Sequence, residues 1–203
     1  MGMVVCLGGS AGDREENAMK TPEPTRWLVE HARMLPAAGD ALDLASGSGR
    51  NAYWLAARGL QTLAIDRDAE KIEAIGREAA ERHLPLRGEV VDLESSDRSV
   101  LDVSRTFERS FDVIVVVHYL YRPLFPALRA ALRPGGLLVY ETFTRAQAQR
   151  GKPTNPAFLL EPGELRELVA PLDVLAQREG DFEGKMLSSV IAVRPLDEAR
   201  GGQ

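Results

Sequence analysis

Residues 41–51, which read Ala-Leu-Asp-Leu-Ala-Ser-Gly-Ser-Gly-Arg-Asn, decide the fold of this chain of 203 residues. The apolar run from Ala41 to Leu44 predicts a buried strand, and a helix is expected after the turn rich in glycine and serine. Gly47 and Gly49 allow the backbone to turn tightly and a ligand to approach where a Cβ atom would obstruct it. An ordinary strand-to-helix turn has the same composition, so this segment alone does not establish a binding site.

Strand-like and helix-like segments alternate after this turn. Strands are predicted at residues 41–44, 62–65, 86–91, 111–117, 137–143, 174–178 and 185–193. Helices are predicted over residues 52–58, 68–82, 124–132 and 165–169. The last two strands, joined through residues 179–184, suit an antiparallel hairpin. The pattern predicts an α/β fold: a doubly wound, mostly parallel seven-stranded sheet with helices on both faces and an antiparallel C-terminal hairpin.

The composition predicts one domain, residues 21–196, between a flexible leader, residues 1–20, and a tail, residues 197–203. Hydrophobic residues make up 44% of the chain, which is enough for a substantial core. Every apolar run is far shorter than the roughly 20 residues that span a bilayer, so no membrane partner is expected. The single cysteine and the lack of a signal-peptide pattern predict a cytoplasmic protein.

Charge and histidine placement argue against two classes of partner. Twenty-five Lys and Arg residues against thirty Asp and Glu residues give a formal net charge of −5, which leaves no excess of positive charge for phosphate backbones. No nucleic-acid partner is therefore expected. His31 and His83 lie in helical segments away from any set of residues with metal-ligand spacing, so no metal site is expected.

Three carboxylates stand at the ends of three successive strands. Asp43 precedes the glycine turn, Asp66 ends the second strand, and Asp92 follows the third. Ligands of open α/β sheets bind beyond the carboxyl ends of the strands, so these acids are expected to gather around one hollow. A carboxylate at Asp66 suits ribose hydroxyls, and one at Asp92 suits an exocyclic amine such as that of adenine. Both also have an ordinary interpretation as turn residues.

The segment of residues 144–160 follows the fifth strand without periodicity and predicts a long loop. Its basic residues, Arg145, Arg150 and Lys152, suit a lid over an acceptor site. A solvated surface loop is the alternative.

In these features the sequence resembles the class I methyltransferases that use S-adenosylmethionine. The motifs are the loop from Asp43 to Gly49, Asp66, Asp92, the strand start at residues 111–114 and the run Leu-Arg-Pro-Gly-Gly-Leu-Leu at residues 132–138. The resemblance implies S-adenosylmethionine as cofactor and S-adenosylhomocysteine as product. The cofactor-binding residues that it implies are Asp43, Ala45, Ser46, Gly47, Gly49, Asp66, Arg67, Asp92, Leu93 and His118.

The resemblance also implies how the cofactor lies. Its methionine end would cover the turn at Gly47 to Gly49, with the ammonium group near Asp43, the ribose on Asp66 and the adenine near Asp92 and Leu93. One departure from the family is Ala45, which stands where the first glycine of the loop is usual. Alanine is the mildest replacement, so cofactor binding is expected to survive.

Residues 42–51 and 55–59 resemble the tellurite-resistance-type methyltransferases and related uncharacterised bacterial proteins, as do residues 122–125 and 140–143. This favours a small-molecule acceptor, either a thiol or a chalcogen oxyanion. The Asn-Pro-Pro-aromatic tetrad of enzymes that methylate planar amino groups is missing after the fourth strand.

Methyl transfer needs a general base only if the acceptor must lose a proton, and by location the candidate catalytic residues are His118, Tyr119 and Glu141. Two alternatives stay open: a protein that binds the cofactor without transfer activity, and an NAD(P)-dependent oxidoreductase, because Gly47, Gly49 and Ala52 also fit the dinucleotide fingerprint. The sequence leaves the oligomeric state open.

Overall fold

A computed structural model of the chain describes residues 23–94, 108 and 110–196. The strands are β1 (Asp40–Leu44), β2 (Gln61–Asp66), β3 (Leu86–Val90), β4 (Phe111–Val117), β5 (Leu132–Phe143), β6 (Asp173–Phe182) and β7 (Lys185–Val193). The helices are α1 (Arg26–Glu30), α2 (Arg50–Ala57), α3 (Ala69–Glu81), α4 (Phe125–Ala131) and α5 (Glu164–Val169). Short 3₁₀ helices lie at Ala32–Met34, Arg122–Leu124, Arg145–Gln149 and Pro156–Phe158. The predicted leader and tail lie outside the described residues.

The strands form one sheet in the order β3-β2-β1-β4-β5-β7-β6. The five strands from β3 to β5 are parallel, and β7 runs antiparallel between β5 and β6. The sheet is therefore mixed, with a reversed strand only in the C-terminal hairpin. This confirms the predicted α/β architecture.

Helices cover both faces of the sheet. Leu42 and Leu44 pack in a cluster with Phe125 of α4, whereas Ala41 packs on the opposite face with Leu55 of α2. Alternate strand residues point to opposite faces, so β1 contributes to both clusters. Such two-sided burial explains the nearly continuous apolar run in β4.

The motif at residues 111–114 stabilises the end of the sheet at which β1 and β4 begin. Asp112, at the start of β4, accepts a hydrogen bond from the backbone N–H of Asp40 (2.7 Å) and pairs with Arg133. The Arg133 guanidinium also pairs with the Asp40 carboxylate at 2.6 Å. A Cβ atom on Gly39 would lie 2.3 Å from the Asp112 carboxylate, so this corner needs glycine.

The boundaries of two predicted strands were wrong. β5 begins at Leu132 instead of residue 137, because Gly135 and Gly136 stay hydrogen-bonded to Arg194. The Gly135 N–H donates to the Arg194 carbonyl (2.8 Å), and the Arg194 N–H donates to the Gly136 carbonyl (2.9 Å). β6 extends to Phe182 instead of residue 178, so its connection to β7 is only Glu183 and Gly184, with φ angles of 54° and 76°. Two-residue turns of this kind match the twist of a hairpin.

The segment of residues 144–160 is more ordered than a plain loop. The Gln147 side chain accepts a hydrogen bond from Met186 N–H (2.9 Å) and donates one to the Lys152 carbonyl (3.1 Å). Arg145 pairs with Glu161, and Arg150 pairs with Asp181. These two arginines therefore form ion pairs with acids outside the segment.

Within the described residues, no helix has the length and apolar character needed to cross a membrane.

Candidate functional site

The carboxyl ends of β1 and β4 lie side by side at the point where the strand order reverses. Ala45 directly follows β1 and His118 directly follows β4, and both have positive φ angles of 55° and 57°. Such conformations cost a non-glycine residue about 1–3 kcal/mol and cluster at ligand sites. Ligands of open α/β sheets also bind at this reversal point. The ends of β1 and β4 are therefore the candidate functional site.

The two glycines of the turn after β1 have different surroundings. Gly49 has a φ angle of 79°, and a Cβ atom there would lie 2.8 Å from Cδ1 of Ile75 on α3. Gly47 has a φ angle of 56°, and a Cβ atom there would meet nothing within 4 Å. Ile75 fills the space beside Gly49, so only Gly47 has the open side that was expected at both positions.

A cavity of about 300 Å³ opens at these strand ends, and we call it the strand-end cavity. The predicted site residues that line it are Ala45, Asp66, Arg67, Asp92, Leu93, His118 and Tyr119. Its volume is at the lower end of the range of about 300–1,000 Å³ for small-molecule sites. The predicted residues outside its lining are Asp43, Ser46, Gly47, Gly49 and Glu141.

Asp66 joins the glycine turn to the start of α3. One carboxylate oxygen accepts a hydrogen bond from Gly47 N–H (2.8 Å), and the other accepts one from Asp68 N–H (3.0 Å). A carboxylate has about four lone-pair sites, so Asp66 keeps acceptor capacity for a ligand. The exposed Asp92 carboxylate accepts one hydrogen bond, from Glu94 N–H (3.1 Å). Both acids therefore face the cavity with acceptor capacity left over.

Asp43 lies buried under the glycine turn, with 1% of its surface exposed. Its carboxylate accepts a hydrogen bond from Ala52 N–H (3.0 Å) on α2. Burial raises the pKa of Asp43 to about 7, although the Ala52 N–H and Arg50 act in the opposite direction. The three strand-end acids therefore do not line one hollow: Asp66 and Asp92 line the strand-end cavity, and Asp43 is beneath the turn.

His118 and Tyr119 form the β4 side of the cavity. The His118 ring stacks on Phe143 with a centroid distance of 4.7 Å, and its backbone N–H donates to the Glu141 carbonyl (2.8 Å). Burial lowers the pKa of His118 to about 4, and Lys185 and Arg50 add to this effect. The imidazole is therefore neutral near pH 7. The Tyr119 hydroxyl is buried without a hydrogen-bond partner among the described residues, and burial raises its pKa.

Glu141, at 3% exposure, is held by three partners. Its carboxylate accepts hydrogen bonds from the hydroxyls of Thr25 and Ser189, each at 2.7 Å. Arg178 pairs with the same carboxylate at 3.1 Å. Thr25 also donates its backbone N–H to the Asn51 side chain (2.9 Å), so this network connects the start of α1 to β5, to the C-terminal hairpin and to α2.

A second cavity of about 640 Å³ lies between the start of α1, α2 and the C-terminal hairpin, and we call it the hairpin-side cavity. His118 lines both cavities. The charged residues facing the second cavity are Glu23, Arg26, Arg50, Glu141, Glu183 and Lys185. Several of these lie far apart in the sequence, and no motif joins them.

The strand-end residues fit a nucleoside cofactor such as S-adenosylmethionine. The open side of Gly47 leaves room above the turn, and the buried Ser46 hydroxyl beside it has no hydrogen-bond partner among the described residues. Asp66 and Asp92 offer acceptors for ribose hydroxyls and an amine. The acidic lining also suits a cofactor that carries positive charge.

Several lining residues were missed by the sequence analysis. Phe143 ends β5, and Pro153 and Phe158 come from the segment that follows it. The length of that segment predicted a functional loop. Nothing in its composition indicated that its apolar residues, and not its arginines, would line the cavity. Lys185 was missed because its predicted place, at the start of the last strand, gave no indication that it lines a cavity.

Comparisons with known proteins find similarity to methyltransferases. Residues 41–136 match a family model described as a methyltransferase domain. Ribosomal RNA small subunit methyltransferase B of Thermus thermophilus is 30% identical over 160 residues, which cover 70% of this chain and 40% of that protein. The chain thus spans less than half of the length of this curated relative.

Two solved structures share the fold. TehB from Haemophilus influenzae superimposes with a TM-score of 0.71 at 16% identity, covering 90% of this chain and 66% of that one. An S-adenosylmethionine-dependent methyltransferase from Mesorhizobium loti superimposes with a TM-score of 0.61 at 17% identity, covering 82% of this chain and 96% of that one. At these identities the likeness shows the fold alone.

Proposed function

We propose that this chain, whose residues 41–136 match a methyltransferase domain and whose fold is shared with an S-adenosylmethionine-dependent methyltransferase, transfers a methyl group from S-adenosylmethionine to a small-molecule acceptor. The observation that carries this proposal is the strand-end cavity. Asp66 and Asp92 line it, and the open side of Gly47 lies in the adjoining turn.

The residues of the chain would bind and orient the cofactor, which supplies the electrophilic methyl group when bound. Asp66 holds the ribose hydroxyls, and Asp92 with Leu93 holds the adenine. Asp43, under the turn, attracts the ammonium group directly or through water. His118 borders both cavities, which supports a role for it beside the reacting atoms as a hydrogen-bond acceptor.

We propose a thiol or a chalcogen oxyanion as the acceptor. The fold likeness to TehB and the resemblance of residues 42–51 to tellurite-resistance-type proteins support this class. The Thermus relative is named for ribosomal RNA, which makes RNA the competing acceptor. The formal net charge of −5 supports the small molecule, since RNA binding relies on positive charge.

Isothermal titration with S-adenosylhomocysteine and with NADH tests the cofactor. We expect S-adenosylhomocysteine to bind and NADH to show no binding at the same concentration. Methyl transfer is then measured with tellurite, selenite, thiols, small amines and ribosomal RNA. Tight binding of NADH without binding of S-adenosylhomocysteine contradicts the proposal, and cofactor binding without transfer to any acceptor favours a binding protein.

Replacement of Asp66 tests the site itself. Asp66→Ala removes charge-assisted hydrogen bonds, worth roughly 1.5–3 kcal/mol each, so the Kd for S-adenosylhomocysteine should rise at least about tenfold. Asp68→Ala is the matched control, because Asp68 caps α3 by accepting a hydrogen bond from Lys71 N–H (3.3 Å) and does not line the cavity. The control should lose about 1 kcal/mol of stability with an unchanged Kd. An unchanged Kd in Asp66→Ala removes Asp66 from the site.

A further inference from the structure

The hairpin-side cavity is placed to receive a second ligand beside the cofactor. It shares His118 with the strand-end cavity, and at about 640 Å³ it has roughly twice the volume of that cavity. Its walls come from the start of α1, from α2 and from the β6–β7 hairpin, whereas Asp66 and Asp92 are absent from its lining. A molecule in it would meet the cofactor at His118.

The charges in this cavity are not all neutralised. Arg26 pairs with Glu30 at 2.7 Å, and the Glu141 carboxylate pairs with Arg178 at 3.1 Å. Arg50 and Lys185 are half-buried, and neither has an ion-pair partner within the described part of the chain. The remaining acids, Glu23 and Glu183, are exposed at the rim, where water screens them. The interior of the cavity therefore favours an anion.

The two cations have different positions relative to the glycine turn. Arg50 directly follows Gly49 and is the first residue of α2, next to the expected methionine end of the cofactor, which carries one carboxylate. Lys185 is the first residue of β7, on the hairpin side of the cavity. A carboxylate from the cofactor would thus use Arg50 and leave Lys185 for another anion.

The imidazole at the junction is a weak base. Burial, Lys185 and Arg50 together keep His118 neutral, with a pKa of about 4. A base of that strength removes protons inefficiently from an acceptor that titrates near or above pH 7. A site of this kind suits an acceptor that arrives with negative charge, stabilised by a nearby ammonium group.

We propose that the hairpin-side cavity is the acceptor site, and that Lys185 selects a small acceptor carrying negative charge on or beside its nucleophilic atom. This inference rests on the proposed methyl transfer. The lone pair of the nucleophilic atom forms the bond to the methyl carbon, while the carbon–sulfur bond breaks and leaves its electron pair on sulfur. For a thiol acceptor, the proton passes to water before this step.

The test uses thiols that differ in the charge beside the sulfur, with kcat/KM expressed per thiolate because the neighbouring group changes the pKa of the thiol. Mercaptoacetate, 2-mercaptoethanol and cysteamine carry the same thiol with an anionic, neutral or cationic neighbour, and selenite carries its charge on the reacting group. We expect the wild type to favour mercaptoacetate over 2-mercaptoethanol by at least about tenfold in kcat/KM, as one charge-assisted contact provides. Selenite compared with mercaptoacetate then distinguishes an oxyanion from a carboxylate as the source of the charge.

Lys185→Met removes the charge and keeps much of the length of the side chain. We expect kcat/KM for mercaptoacetate to fall about tenfold more than the value for 2-mercaptoethanol, with the Kd of S-adenosylhomocysteine unchanged within about twofold. Lys71→Met is the matched control, since Lys71 lies on α3 and pairs with Asp68 away from both cavities. It should match the wild type in all three values.

Binding of mercaptoacetate to the complex with S-adenosylhomocysteine gives a readout that does not depend on turnover. We expect Lys185→Met to weaken it about tenfold. Four outcomes overturn the inference while leaving the cofactor site intact. They are equal kcat/KM across the three thiols, a preference for cysteamine, no binding of mercaptoacetate to the complex, and a Lys185→Met variant that behaves as the wild type does. Failure of S-adenosylhomocysteine to bind the wild type overturns the proposed function itself.

Discussion

At the scale of single residues, the burial of Asp43 connects its charge state to folding. Its carboxyl group is buried, and the Ala52 N–H and Arg50 only partly offset the cost of burying its charge. A folded-state pKa of about 7 lies well above the value near 3.9 of an unfolded chain. The folded protein therefore keeps a proton that the unfolded chain loses, and this contribution to stability declines as the pH rises from about 4 to 7.

Asp43→Asn should remove this pH dependence, because the amide stays neutral and its oxygen can still accept from Ala52 N–H. Chemical denaturation of both proteins at several pH values measures it. Relative to Asp43→Asn, the wild type should lose on the order of 3–4 kcal/mol between pH 4 and pH 8. A constant difference across this range would show that the pKa of Asp43 is the same in the folded and the unfolded protein. In the wild type, binding of the ammonium of S-adenosylhomocysteine should release a proton at pH 6, seen as a buffer-dependent titration enthalpy.

At the scale of elements, the two glycines of the turn after β1 have different surroundings: Gly49 is closely packed and Gly47 has an open side. Gly49 allows α2 to pack on α3, because Ile75 occupies the place of its Cβ atom. Gly47 has open space there, and its N–H contacts Asp66 at 2.8 Å. The two glycines of one sequence motif therefore have different surroundings, and their spacing in the sequence does not indicate this difference.

Alanine substitutions at Gly49 and Gly47 distinguish the effect on stability from the effect on cofactor binding. Gly49→Ala combines a positive φ angle with a contact to Ile75 and should cost about 2–4 kcal/mol of stability. Gly47→Ala has only the backbone strain and should cost about 1–2 kcal/mol, but its methyl group projects into the space proposed for the cofactor. Thermal unfolding and titration with S-adenosylhomocysteine should therefore rank the variants in opposite order. The same order in both measurements would place the open side of Gly47 outside the cofactor site.

At the scale of the whole molecule, the Glu141 network connects parts of the chain that are far apart in sequence. Thr25, Glu141, Arg178 and Ser189 meet at the start of α1, and Arg178 also reaches Glu30 at 3.3 Å. With every partner in place, Glu141 suits a positioning role for α1 beside the hairpin-side cavity. The catalytic role of Glu141 stays a prediction. The positioning role and the catalytic role differ in the effect on kcat that they predict for the removal of Arg178.

Glu141→Gln and Arg178→Met distinguish the roles. If Glu141 positions α1, both variants should lose about 2–4 kcal/mol of stability, since each breaks a buried charge pair, and both should lower kcat by similar factors. If Glu141 is a base, Glu141→Gln alone should lower kcat by a factor of about 10² or more and change the pH–rate profile. Arg145→Met, which breaks the exposed pair with Glu161, is the control and should change stability by less than about 1 kcal/mol.

The sequence by itself determined the order of strands and helices along the chain, the glycine turn after β1, and the acids at or near the carboxyl ends of β1, β2 and β3. These features are local, since apolar periodicity and turn residues act within a few positions of the chain. Only the tertiary structure decided that Asp43 is buried while Asp66 and Asp92 line a cavity, and that Ile75 closes one side of Gly49. It alone brought Lys185, Arg50 and His118 together around the hairpin-side cavity, because burial and electrostatic coupling between distant residues depend on how the hairpin and α1 pack on the sheet.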